Sequence, residues 1–362
     1  MSSLITFQKK WFITAFIFLI FSALIFSFPV FSADLPAGNR ANPKDGFEPV
    51  IPLGLDPDIL VVPADNLMTI EKIELGKLLF FDQRLSRDNT IGCASCHIPS
   101  QAFTDNQPVS TGLNGLKVGR NAPTVINRAF SEAQSWDGRA ETLEQQVQNA
   151  LVNPIEHGFS SHDEIVRKLN GIEGYRILFK KVFGTNVTIE GVGKAIAAFE
   201  RTVFSGNSPF DQFDMGGKEN AISDSAKRGL NLFRDKARCS ICHGGFNFTD
   251  EQYHNLGIGM DKEKPDFGRY DVSKKENDKG AFKTPTLREI AHTAPYMHDG
   301  RFKSLEEVVS YYNHGGTKNP FLDPDMIPLN LTYDEKKDLV AFLKSLSGEG
   351  WQNIKPPVEF PK

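Results

Sequence analysis

Every cysteine of this 362-residue chain lies in one of two copies of the pattern Cys-x-x-Cys-His. The first is CASCH (Cys93, Cys96, His97) and the second is CSICH (Cys239, Cys242, His243). The pattern is the attachment signal of a c-type haem. Each cysteine adds to a vinyl group through a thioether, and the adjacent histidine ligates the iron. A structural zinc ribbon would need its cysteine pairs within roughly 15–20 residues of each other, and these lie in different halves of the chain. A redox dithiol has no use for a trailing histidine in both copies. Two covalently bound haems are therefore the constraint any fold must meet.

The flanks repeat as well. Gly-x-x-Leu-Phe precedes each cysteine pair, from Gly76 to Phe80 and from Gly229 to Phe233, and reads as an amphipathic helix feeding a haem loop. Each half closes with apolar residues at three- and four-residue spacing, over 189–204 and 332–346, again helical. Between them SGNSPFDQFDMGGKENAIS, from Ser205, reads as a linker, and KEKPDFGRYDVSKKENDKG (262–280) as a solvated loop. Alternating strand patterns are scarce. The expected fold is all-α: two tandem cytochrome c-like domains over residues 34–206 and 207–362, each with one covalent haem. Helices this short bury little alone, so the cores should lean on the porphyrins.

Residues 1–33 carry a positive start at Lys9 and Lys10, a long apolar run and small residues near Ala33. They read as a signal peptide, or as an uncleaved N-terminal anchor, since the run is long enough to span a bilayer. Either way the rest lies outside the cytoplasm: in the periplasm, held at the inner membrane if uncleaved. A net charge of −4 argues against nucleic acid as a partner.

Ser304 followed by Glu307 is a capping box, which starts a helix at Leu305. On it Leu305, Val308, Val309 and Tyr312 form one apolar face, with Tyr311 on the wetter side. His298 and Asp299 read as turn residues and His314 as a surface residue.

With APTVINRAF, WDGRAETLEQQ, NPIEHG, FKTPTLREIAHTAPYMHDG and the two haem motifs in view, the sequence resembles the bacterial dihaem cytochrome c peroxidases and their MauG-type relatives. The resemblance runs from about Asp56 to Ser347. It implies that Tyr312 stands where the peroxidases hold a methionine, the distal ligand of the electron-donating haem, and where MauG-type enzymes hold a ligating tyrosine. A thioether raises the haem potential, and an anionic phenolate should lower it. Met260 and Met297 are rival ligands; a core tyrosine with a hydrogen-bonded hydroxyl is the plainer alternative.

At the first haem many relatives carry a histidine that blocks the iron. Here the loop STGLNGLKVGRNAP places Leu113 there, which cannot ligate, so that iron should be open unless His157 fills the gap. Glu156 matches the family's distal glutamate and would move the peroxide proton, with its pKa raised in a dry pocket; read without the family it is a solvated loop carboxylate. Trp136 matches the residue between the haems, and Gln146 would orient groups in the same pocket. The resemblance also implies calcium, held by the Asn121 side chain and the carbonyls of Thr293 and Pro295 with water. Read plainly, Asn121 caps a turn and Thr293 to Pro295 is a loop. Arg269, in FGRY, is a candidate counter-charge for a haem propionate.

The function expected is reduction of hydrogen peroxide with electrons from a small cytochrome c or cupredoxin. One alternative is MauG-type oxidation of a partner protein. Against it, Ala237 and Arg238 stand where the MauG enzyme carries its hole-passing tryptophan. Another is a dihaem electron carrier without catalysis. Homodimerisation is left open.

Overall fold

A computed structural model describes residues 47–362; the export segment expected over 1–33 lies outside the described residues. The first half holds α1 (Ile70–Phe81), α2 (Leu143–Leu151), α3 (His162–Asn170), α4 (Glu173–Phe183) and α5 (Ile189–Glu200). The second holds α6 (Pro209–Asp214), α7 (Asp224–Arg234), the one-turn α8 (Tyr270–Ser273), α9 (Leu305–Asn313) and α10 (Tyr333–Lys344). Two short strands, β1 (Tyr253–His254) and β2 (Phe282–Lys283), pair antiparallel. The fold is helical, as its sequence pattern requires.

Local chemistry starts these helices. Thr69, Thr142, Thr188, Ser223, Ser304 and Thr332 each accept an N–H from the first turn of α1, α2, α5, α7, α9 and α10. Each satisfies one of the donors a helix start leaves open. The reciprocal capping box expected at Ser304 is met in part: its hydroxyl accepts from Glu307 N, while the Glu307 carboxylate takes Lys303 N instead.

The repeated Gly-x-x-Leu-Phe now has a physical reason. In the first half α1 packs on α5, and in the second α7 packs on α10. A Cβ on Gly76 would lie 1.9 Å from the Ala195 carbonyl oxygen, and one on Gly229 would lie 1.9 Å from that of Asp338. The glycine lets two helix backbones touch. The phenylalanine one turn on then reaches its partner helix: Phe80 and Phe199 ring centroids are 5.1 Å apart, and Phe233 and Phe342 are 5.0 Å apart. Since both contacts are to backbone, Gly229→Ala must push α7 off α10. Overpacking of this kind costs about 1–3 kcal/mol, so thermal unfolding should show a lowered Tm.

Each pair sits in its own core. The first gathers Leu75, Leu79, Phe80, Phe103, Phe179 and Phe199; the second gathers Leu230, Phe233, Phe248, Leu339 and Phe342.

Three segments depart from the sequence expectation. The stretch read as a linker contains α6, capped by Ser208. Its Asp211 forms an ion pair of 2.8 Å with Arg288, both about 1 % exposed, and Arg288 also donates to the Gly54 carbonyl. The region read as a solvated loop contains α8 and is tied to the first half by Arg120, which donates to Asp266 at 2.7 and 2.8 Å. Finally, Trp351, Ile354 and Phe360 return to pack on the first core, and Gly174 N donates to the Lys362 carbonyl at 2.7 Å.

Candidate haem sites

Each Cys-x-x-Cys-His opens with a single tight turn, Cys93–Ser95 and Cys239–Ile241. The backbone then closes back, His97 N to Cys93 O at 3.0 Å and His243 N to Cys239 O at 2.8 Å. This brings both sulfurs and the imidazole to one wall of a cavity. The first cavity, about 340 Å³, is lined by Cys93, Cys96 and His97 together with Trp136, Glu156 and His157. The second, about 220 Å³, is lined by Cys239, Cys242 and His243 together with Trp136 and Tyr312.

The donor set fits a covalently held haem in both. All four cysteines are free thiols, so both of each pair remain for thioether bonds. His97 Nδ1 donates to the Phe103 carbonyl at 3.2 Å and His243 Nδ1 donates to the Phe248 carbonyl at 2.9 Å. Pinning Nδ1–H to a carbonyl fixes the tautomer and leaves Nε2 with a lone pair for a metal.

Around the first cavity, Glu156 follows the end of α2, and Asn153 donates to its Oε1 at 2.9 Å. Burial pushes its pKa up, against the opposing charge of Arg139. A carboxyl poised in this way suits proton transfer near neutral pH. Gln146, on α2, lines the same cavity. His157 donates from Nδ1 to the Leu85 carbonyl at 2.8 Å, and burial pushes its pKa down to about 4; it borders the cavity as a neutral imidazole. Leu113 does not. Its side chain, 4 % exposed, packs against Gly158, and Gly112 borders the cavity instead.

Around the second cavity, the apolar face expected on α9 is the face that lines it: Leu305, Val308, Val309 and Tyr312. Among the described residues the Tyr312 hydroxyl has no hydrogen-bond partner. Its neighbour Tyr311 differs. That hydroxyl donates to the Leu256 carbonyl at 2.8 Å and lies 3.1 Å from Thr317 Oγ1, and its ring packs on Phe302 at 5.0 Å. Tyr311 is thus half-buried and engaged rather than solvated. Of the rival thioethers, Met297 lines the cavity and Met260 does not. Met326, from a loop without periodicity, also lines it; sequence reasoning missed it.

Trp136 and Asn121 line both cavities. Trp136 Nε1 donates to the Asn121 carbonyl at 2.9 Å, which locks the indole into the wall between them. Thr293 and Pro295 line the second cavity with Asn121, whose amide donates to the Gln107 carbonyl at 2.8 Å. His298 is more than a turn residue: it is buried and stacked on Phe282 at 3.6 Å. Asp299 pairs with Arg301 at 2.8 Å, and His314 is exposed. Arg269 lines neither cavity, because its guanidinium lies over the Tyr253 ring at 4.3 Å and donates to the carbonyls of Asp137 and Gly138.

Cys242, Asp250 and His254 also lie together. Asp250, helped by Asp323 on the other ring nitrogen, holds the His254 imidazolium so that its pKa rises to about 11. A charged imidazolium is no metal ligand, and Cys242 is committed to a thioether.

Two Cys-x-x-Cys-His cavities in one helical chain, with a tryptophan in their common wall, define a dihaem c-type oxidoreductase. The model of the di-haem cytochrome c peroxidase family matches residues 70–220. The chain is 41 % identical over 297 residues to the methylamine utilization protein MauG of Methylorubrum extorquens, covering 81 % of this chain and 83 % of that protein. It is 39 % identical over 281 residues to the cytochrome c551 peroxidase of Nitrosomonas europaea, covering 76 % and 80 %. The crystal structure of a MauG-like protein associated with microbial copper homeostasis superposes with a TM-score of 0.76 at 33 % identity, covering 86 % of this chain and 97 % of that one. The chain belongs to the di-haem cytochrome c peroxidase and MauG family.

Proposed function

We propose that the protein is an exported, periplasmic dihaem peroxidase that reduces hydrogen peroxide to water, with Tyr312 as the distal ligand of the second haem. The observation that carries the ligand is placement: Tyr312 brings the one polar side-chain group of α9's cavity face into the cavity lined by Cys239, Cys242 and His243. Residues 34–206 then form the peroxidatic domain and residues 207–362 the electron-transfer domain, whose last residues, from Trp351, return to the first core. Among the described residues no helix is long and apolar enough to cross a membrane; export rests on the reading of residues 1–33.

Haems held by Cys93, Cys96 and His97 and by Cys239, Cys242 and His243 would supply the redox chemistry. The chain's residues do the rest. Glu156 accepts a proton from one peroxide oxygen and returns it to the other, and Asn153 holds the carboxyl in place. Gln146 orients groups beside it. Gly112 and Leu113 leave the distal side of the first cavity without the blocking histidine of many relatives. Trp136 joins the two cavities and carries electrons between them. Asn121, Thr293 and Pro295 hold a calcium ion with oxygen ligands only, as calcium prefers.

The test is steady-state: peroxide is mixed with the enzyme and a reduced small cytochrome c or cupredoxin. Two donor molecules oxidised per peroxide consumed is the expected result. No donor oxidation with any such protein would remove the peroxidase reading.

A second reading, MauG-type oxidation of a partner protein, is favoured by Tyr312 and by the absence of a ligand at Leu113. It predicts peroxide-dependent modification of a protein side chain. A non-catalytic carrier has no use for Glu156.

A further inference from the structure

We propose that Arg128 and Lys283 form one anion subsite, shared by both cavities, that takes haem propionate carboxylates from the two haems. The inference rests on the dihaem reading above. Both residues line both cavities, although one lies in the turn Arg128–Phe130 and the other on β2.

The protein supplies one carboxylate, Glu251, for these two cations. Arg128 donates from Nε to Gln134 Oε1 at 2.9 Å and from Nη2 to the Ala133 carbonyl at 2.7 Å. Both acceptors are neutral, and most of its guanidinium donors remain unspent. Among the described residues no carboxylate forms an ion pair with it. Lys283 is 4 % exposed. Its Nζ has one carboxylate beside it, 3.2 Å from Glu251 Oε2 in a buried ion pair. Its hydrogen bond goes to the neutral Thr284 carbonyl, at 3.2 Å.

Charge does not balance in this wall. Glu200 lines the first cavity, but burial raises its pKa to about 8, so it is mostly protonated at neutral pH. That leaves Glu251 against two cations. Burial and the neighbouring Arg128 push the Lys283 pKa down to about 8, against the pull of Glu251, as expected where two cations share one carboxylate. Burying an unpaired cation is costly, and an anion arriving from the cavity side removes the cost. Propionates are the anionic groups that the two Cys-x-x-Cys-His motifs bring there. The backbone serves the same wall, since Lys283 N donates to the Trp136 carbonyl at 2.7 Å, a bond that any side-chain substitution keeps.

A cation beside a propionate disfavours the oxidised iron, so it raises the haem potential. Because the subsite is shared, one substitution should move both haems. The experiment is a redox titration of the holoenzyme followed by absorption, with haem content measured in parallel, on wild type and on Lys283→Met. Both midpoint potentials should fall together, and Lys283→Arg should restore them. Arg128→Gln should lower both again; it also loses backbone support, so Lys283→Gln serves as the milder second variant. Unchanged potentials, or a shift confined to one haem, overturn the proposal. A wild-type protein without two covalent haems would instead defeat the dihaem reading itself. Titration in added inorganic phosphate separates the sources of the anion. Potentials indifferent to phosphate are expected, and a phosphate-dependent shift abolished by Lys283→Met would mean a free oxyanion fills the subsite, which also overturns the proposal.

Discussion

Glu156→Gln should slow peroxide turnover by about 10²–10⁴-fold, the usual range for loss of a positioned proton carrier, while both haems stay covalently attached. The amide keeps the shape and the contact to Asn153 but cannot accept the proton. The attachment residues belong to another segment, so haem content and thermal unfolding should match wild type. The pH profile supplies the second readout. Burial raises the Glu156 pKa, and the ionised form is the one that takes the proton. The wild-type rate should therefore rise with pH through an inflection above the ordinary glutamate range of about 4.3. His157 does not overlap it, since its own pKa is pushed down to about 4 and it stays neutral there. In Glu156→Gln the inflection should vanish. A variant with wild-type turnover would show that Glu156 is a bystander.

Tyr312→Met should have the second largest effect. On the ligation proposed here, it replaces an anionic oxygen ligand by a thioether at the same point on α9. Axial ligation spans roughly 0.8 V of haem potential, and methionine lies toward the high end. The second haem should rise by on the order of 0.1 V or more, and a methionine-to-iron charge-transfer band should appear in its ferric spectrum. The first haem should move far less. If the wild-type protein already shows that band, then Met297 or Met326, which line the same cavity, is the ligand and Tyr312 is not.

The turn at each Cys-x-x-Cys-His was legible in the sequence, because the motif is local and so is the turn it builds. The cavity-facing side of α9 was legible for a similar reason: a capped start at Ser304 sets the phase of the helix. The paired glycines, Gly76 and Gly229, were visible as a repeat, but their purpose appears only when α5 and α10 pack against them.

What escaped is long-range. Arg128 and Lys283 meet at one wall from distant segments, and no periodicity announces that. Arg269 was the cation the sequence offered, yet it is spent on Tyr253 and two carbonyls. Asp211 sat in a stretch dominated by Gly, Ser and Asn, which masked the α6 turn and its buried pair with Arg288. Leu113 was correctly seen as unable to ligate, but its side chain turns toward Gly158, which no alternation of residues could reveal.

The most direct test of the peroxidase account is to add one equivalent of hydrogen peroxide to the fully oxidised protein and follow the absorption spectrum. An immediate spectral change without prior reduction is the predicted result, because no blocking histidine occupies the Leu113 position and the proposed Tyr312 ligation would favour the more oxidised iron. No change until one haem is reduced would contradict it. Some group, with His157 the other imidazole lining that cavity, would then close the first iron in the resting enzyme.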